Sequence, residues 1–112
     1  MRFQIPSFFK ILGVGVFLLF FCLALRAGPA PDGADLYKQK CSMCHGADGK
    51  GFSALKTPNF TDPKVQASLT DKEIVEVIKN GKKGTAMPAF GEQLSNERIQ
   101  SLLAHIRSLK GK

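Results

Sequence analysis

The chain has 112 residues, enough for one domain, with 16 Lys and Arg against 9 Asp and Glu and a formal net charge of +7. Its hydrophobic content of 44% is ordinary for a globular protein, which excludes a collagen-like or mucin-like chain, and its length excludes a multidomain enzyme. The basic excess is too thin and too scattered to predict a nucleic-acid-binding surface.

Residues 1–27 are unlike the rest. They carry Arg2, Lys10 and Arg26, no acidic residue, and most of the Phe. Ile11 to Leu25 contains no charged residue, but the run is shorter than the ~20 residues a membrane-spanning helix needs. A basic start, a short apolar stretch and the small residues Ala24 and Ala27 read as a secretory signal peptide. Extended back through Phe8 and Phe9, with Lys10 inside it, segment 8–25 reads instead as an N-terminal membrane anchor. Cys22 follows two Phe and is expected as an apolar residue of the segment. Either reading places residues 28–112 outside the cytoplasmic membrane, free in the periplasm or an equivalent exported compartment, or tethered to the membrane.

Within 28–112, Ala27-Gly28-Pro29-Ala30-Pro31 is a linker that cannot continue a helix. Asp32 can cap a short helix carrying Leu36 and Tyr37. Gly46 to Asp62 is rich in Gly, Pro, Asn and Asp and has no helical period, which predicts an ordered loop. Thr70-Asp71-Lys72-Glu73 is a capping box with a Leu69–Ile74 staple, and Gly81 ends the helix it starts. Ser95 caps the last helix, with a Leu94–Ile99 staple and an apolar stripe of Ile99, Leu102, Leu103, Ile106 and Leu109. Arg107 and Lys110 suit the negative end of its dipole. No alternating run predicts a strand, so the expected fold is all-α. With three Phe, one Tyr and no Trp, the core of this part is small and calls for a disulfide, metal or cofactor.

Cys41-Ser42-Met43-Cys44-His45 answers that need, because Cys-x-x-Cys-His reads as covalent haem attachment. Residues i and i+3 of a helical turn lie on neighbouring faces, where two thiols can add to two vinyl groups of one porphyrin. His45 then lies under the iron and offers an imidazole nitrogen. A redox dithiol would leave His45 without a role and normally accompanies a βαβ pattern, absent here. A structural zinc site needs four N or S ligands, and the spare donors are Cys22, outside the domain, and the distant His105. A Cys41–Cys44 disulfide would close only a tiny loop.

Residues 32–112 resemble the class I mono-haem cytochrome c family. Gly33 and Tyr37 stand where the family has a small residue and an aromatic on its first helix. Cys41, Cys44 and His45-Gly46 follow, then Asp48-Gly49-Lys50-Gly51, Thr57-Pro58-Asn59-Phe60, and Met87-Pro88-Ala89-Phe90 before the last helix. The departure is His105, where many relatives have an aromatic that packs the last helix on the first. The resemblance implies a cytochrome c-like fold, several short helices and loops around one haem c bound through two thioethers.

A haem iron held by one His takes a Met, a second His, or stays open. Met43 is tied to the proximal side, and Met87 follows a segment that Gly81 and Gly84 let turn tightly. The residues alone leave Met87 as ligand or as core filler; the resemblance implies the ligand, with His105 as the alternative. It also implies that a carbonyl on the Gly46–Asp62 loop, that of Pro58, accepts the imidazole N–H. Phe52, Phe60 and Phe90 are candidates to line the pocket. The expectation is a one-electron carrier and not an enzyme, with no small-molecule substrate, serving redox protein partners that dock on a basic surface of Lys50, Lys56, Lys79, Lys82 and Lys83. The rival expectations are a haem enzyme or gas sensor with an open sixth position, and a haem module of a membrane oxidoreductase complex.

Overall fold

Helix α1 (Gly33–Lys40) starts where Asp32, in an extended conformation, accepts a hydrogen bond from the Ala34 N–H at 2.9 Å. The computed structural model describes residues 32–112; the expected signal or anchor, Cys22, and the linker through Pro31 lie outside the described residues. After α1 come a single helical turn, α2 (Ser42–His45), a 3-10 turn (Ser53–Leu55), and helices α3 (Pro63–Ser68), α4 (Asp71–Asn80) and α5 (Asn96–Ser108). Among the described residues there is no strand, in keeping with the all-α expectation.

The predicted caps form. Thr70 Oγ1 accepts from the Glu73 N–H, and the Glu73 carboxylate accepts from the Thr70 N–H, so both halves of the capping box are present. These bonds hold the Glu73 carboxyl below the usual carboxylate range. Gly81 ends α4 at φ 71°, a conformation that disfavours any side chain. Ser95 accepts from the Arg98 N–H at the start of α5.

The core follows the α5 stripe. Ile99, Leu102, Leu103, Ile106 and Leu109 are all buried, together with Leu36, Tyr37, Phe60, Ile74, Ile78 and Leu94. Each such aliphatic side chain contributes roughly 1.5–3 kcal/mol by leaving water. Helix α1 crosses α5 at Gly33, where an added Cβ would meet the Ser101 carbonyl. That close approach lets the Tyr37 ring lie 4.9 Å from the His105 ring, tilted by 50°. His105 therefore fills the interhelical place where relatives carry an aromatic, and the contact placed in question by the sequence is made.

Helix α3 was not anticipated. Its signal is Asp62-Pro63, an N-cap whose side chain accepts from the Lys64 N–H, followed by a Pro at the first helical position. Its one buried side chain is polar, Gln66, so it has no apolar period to read. Arg107 also does more than complement a dipole. From α5 it donates to the carbonyls of Gln66 and Leu69, to Gln66 Oε1, and to the Asp71 carboxylate. The ion pair with Asp71 at the start of α4 is exposed on the Asp71 side and is worth at most about 1 kcal/mol; the bonds to backbone carbonyls tie α5 to α3 and its C-cap Leu69.

Candidate functional site

Helix α2 is one turn long, and Cys41 is its N-cap. The Cys44 and His45 N–H groups both donate to the Cys41 carbonyl, at 3.2 and 2.9 Å. This turn places Cys41, Cys44 and His45 at i, i+3 and i+4, on one side of the helix. Both cysteines are free thiols; Cys41 is half-buried and Cys44 exposed. Burial, and then the neighbouring Cys44, push the Cys41 thiol up to about 11. A redox-active Cys-x-x-Cys motif needs the opposite shift.

The His45 imidazole is half-buried and stacks on Phe60, with centroids 5.2 Å apart and planes 17° apart. Burial lowers its pKa below the ordinary histidine value, so it is neutral at pH 7, the form that ligates a metal. Its Nδ1 is buried without a hydrogen-bond partner. The bond to the Pro58 carbonyl that the family resemblance suggests is thus not made here. The Pro58 carbonyl faces Gly51 instead, where a Cβ would come within 2.9 Å of it.

The loop after α2 is ordered, as expected, and its order comes from backbone bonds. The Gly51 N–H donates to the His45 carbonyl at 2.8 Å, and the Phe60 N–H to the Gly49 carbonyl at 2.8 Å. Tyr37 reaches in from α1, its hydroxyl donating to the Gly46 carbonyl at 3.1 Å. The Gly111 N–H donates to the Thr61 carbonyl, pinning the C-terminus to the same loop. Of the aromatic candidates, Phe60 touches His45, Phe90 packs half-buried on the core, and Phe52 is exposed.

Met87 belongs to a different element, the loop joining α4 to α5, and is half-buried. Its backbone is fixed closely. The Lys82 N–H donates to the Met87 carbonyl, the Met87 N–H donates to Thr85 Oγ1, and the Phe90 N–H caps α4 at the Ile78 carbonyl. Gly81 makes this clasp possible, since a Cβ there would lie 2.8 Å from the Met87 carbonyl oxygen. His105, the alternative ligand, is on α5 against Tyr37 and lines a surface groove with Asp32, Gly33, Ala34, Ser101, Ala104 and Ser108. None of the other site candidates lines that groove.

The donor set fits a covalent haem. Two unpaired thiols sit one turn apart, a neutral imidazole with an orphaned nitrogen follows at once, and a thioether stands on a clasped loop. Among the described residues no three His, Cys, Asp or Glu side chains are grouped to hold a metal ion, which leaves a structural zinc site without its ligands there. Phe60 and Tyr37 were legible as aromatics of the domain. The part played by Gln66 was not, for it depends on contacts made across 40 residues.

Comparison with known proteins agrees. Residues 28–106 match the domain family described as cytochrome c oxidase, cbb3-type, subunit III. Over 82 residues the chain is 37% identical to the cbb3-type cytochrome c oxidase subunit FixP of Azorhizobium caulinodans, which covers 73% of this chain and 28% of that relative. It is 32% identical over 80 residues to cytochrome c6 of Gloeothece citriformis, covering 71% of each. Among solved structures it is similar to the KustC0563 c-type cytochrome, with 35% identity and a TM-score of 0.66, covering 71% of this chain and 99% of that one. The chain thus spans just over a quarter of the length of the FixP relative.

Proposed function

The chain belongs to the c-type cytochrome family that includes cytochrome c6 and the haem domains of cbb3-type oxidase subunits, and on that premise we propose that it carries single electrons between redox proteins outside the cytoplasmic membrane. Its cofactor is haem c, covalently bound, which when bound supplies a reversible one-electron iron couple. Cys41 and Cys44 would hold it through two thioethers, and His45 and Met87 would ligate the iron from its two faces. The observation that carries this reading is α2 itself, which sets two free thiols and a half-buried imidazole on one turn.

The remaining residues position and shield. Tyr37 holds the backbone after His45 through the Gly46 carbonyl, and Phe60 stacks on the His45 ring and keeps water from it. A Met ligand would leave no open position for substrate, which favours a carrier over an enzyme or gas sensor. The exposed Lys50 and Lys56 support a basic rim on a partner-docking face. Lys82 and Lys83, also exposed, lie on the Met87 loop and would extend the rim.

The test is mass spectrometry of the denatured full chain with a potentiometric titration of the native one. Haem that stays with the unfolded chain, one transition of one-electron slope, and no carbon monoxide binding in the reduced state are expected. Haem lost on denaturation defeats the covalent reading, and carbon monoxide binding moves the assignment to the open-site rival.

A second reading is favoured by the 28% coverage of the FixP relative: the chain as one haem module working with a membrane oxidoreductase complex. No helix among the described residues is long and apolar enough to cross a membrane, so residues 8–25 would be the tether. Recovery of the haem in washed membranes with an uncleaved N-terminus supports this reading; a soluble, shortened chain defeats it.

A further inference from the structure

The chain has two histidines. With His45 given to the iron, His105 is the histidine left to titrate. It sits where α1 crosses α5, half-buried, and lines the surface groove between Gly33 and Ala34 of α1 and Ser101 and Ser108 of α5. The small side chains there leave the imidazole within reach of water. The charged groups that act on it are Asp32, from the cap of α1, and Lys112, from the end of the chain. Burial disfavours the protonated ring most, Lys112 adds to that, and Asp32 opposes both.

Inward, His105 meets Tyr37, with ring centroids 4.9 Å apart. A cation that close to an aromatic ring interacts with its π system. Tyr37 is 2% exposed, and burial first of all keeps its phenol protonated, so its hydroxyl is a donor. That hydroxyl donates to the Gly46 carbonyl at 3.1 Å and lies 3.5 Å from the His45 carbonyl. A single side chain thus separates His105 from the backbone of the haem-attachment turn. An imidazolium beside the ring polarises the hydroxyl and strengthens its bond to that turn, an effect enlarged by the low dielectric of the interior.

We propose that His105 is a redox-linked proton site: through Tyr37 it takes up a proton as the iron is reduced and releases it as the iron is oxidised. The inference rests on His45 being an iron ligand. On reduction the partner protein supplies one electron to the iron, and water in the groove supplies the proton to the imidazole. No bond to the iron forms or breaks. The uptake is a fraction of a proton, largest near the pH at which His105 titrates. Its sign follows from charge, since the ferric centre carries one more positive charge than the ferrous and disfavours a second cation. The coupling is reciprocal, so a proton on His105 favours the electron by the same amount.

The test uses the haem-loaded full chain. The His105 ring protons are followed by NMR from about pH 8 to 5 in the ferrous and the ferric form, and the midpoint potential is measured over the same range. The His105 titration is expected at higher pH in the ferrous form, and the potential is expected to rise as pH falls through it. His105→Phe keeps a ring against Tyr37 and should lose that rise; pH dependence that persists at other pH values belongs to other groups. Tyr37→Phe keeps the ring, drops the hydroxyl, and should shrink the rise while His105 still titrates. Coincident His105 titrations in the two redox forms overturn the inference, and so does an undiminished rise in His105→Phe or in Tyr37→Phe. Should a variant fail to fold, the two titrations of the wild type decide alone. A wild-type protein without a low-spin ferric haem spectrum overturns the function proposed above, and the inference falls with it; a low-spin wild type with coincident titrations overturns the inference only.

Discussion

Gly33→Ala sets two effects of opposite sign against each other. Alanine is the better helix former, by up to ~1 kcal/mol inside a helix and less in the first turn. Against this, the added Cβ would meet the Ser101 carbonyl, with the carbonyl carbon 2.6 Å away and His105 of α5 presenting its Cβ at 3.2 Å. The obstruction is backbone, so it cannot swing aside as a flexible side chain would. Relief requires α1 and α5 to separate, and α5 carries Ile99 and Leu102, each 1% exposed. Overpacking of this kind costs about 1–3 kcal/mol, so the steric effect outweighs the propensity gain. For a domain of this size, a net loss of about 1–2 kcal/mol lowers the unfolding temperature by roughly 4–16 °C. The assay is thermal unfolding of the haem-loaded chain followed by far-ultraviolet circular dichroism, with Gly84→Ala beside it. Gly84 has φ 75° and open space around it, so its variant loses about 1–2 kcal/mol to backbone strain alone, with no steric contribution. A Gly33→Ala protein as stable as wild type, or more so, refutes the close crossing of α1 on α5.

Tyr37→Phe should leave haem attachment intact and cost about 1–3 kcal/mol in urea unfolding, because the Gly46 carbonyl loses its buried donor. His105 is held below the ordinary histidine value by burial first and by Lys112 second, with Asp32 opposing. The unfolded chain therefore takes up that proton first, and stability is expected to fall as pH drops through about 6.5; His105→Phe should remove this slope from melting curves between about pH 7.5 and 5.5. Lys82→Glu with Lys83→Glu should slow electron exchange with an acidic partner and flatten its salt dependence in stopped-flow kinetics. Unchanged rates at low and high salt would remove the basic rim from the docking face.

The helices that carry their own start signals were legible because those signals are local. Thr70 and Glu73 satisfy each other three residues apart, and the five apolar residues of α5 fall on one face by spacing alone. The Cys-x-x-Cys-His turn was legible for the same reason. What the sequence did not reveal depends on distant partners. Gln66 in a short, polar α3 has no periodicity, and its importance comes from Ile106 and Arg107, some 40 residues away. Arg107 read as a charge at a helix end, yet it binds carbonyls on two other segments. His105 read as a departure from an aromatic position, but an imidazole is itself a flat ring, and it packs tilted against Tyr37. The orphaned His45 Nδ1 could not be foreseen either, since it depends on where the Pro58 carbonyl turns within the loop.

The account stands on His45 and Met87 holding one iron between them, and the near-infrared spectrum of the ferric protein tests this most directly. A weak long-wavelength sulfur-to-iron band is expected in the wild type. It should be lost in Met87→Ala, whose haem remains covalently attached because Cys41, Cys44 and His45 are untouched, and it should persist in His105→Ala. Absence of the band from the wild type, or its survival in Met87→Ala, contradicts the assignment.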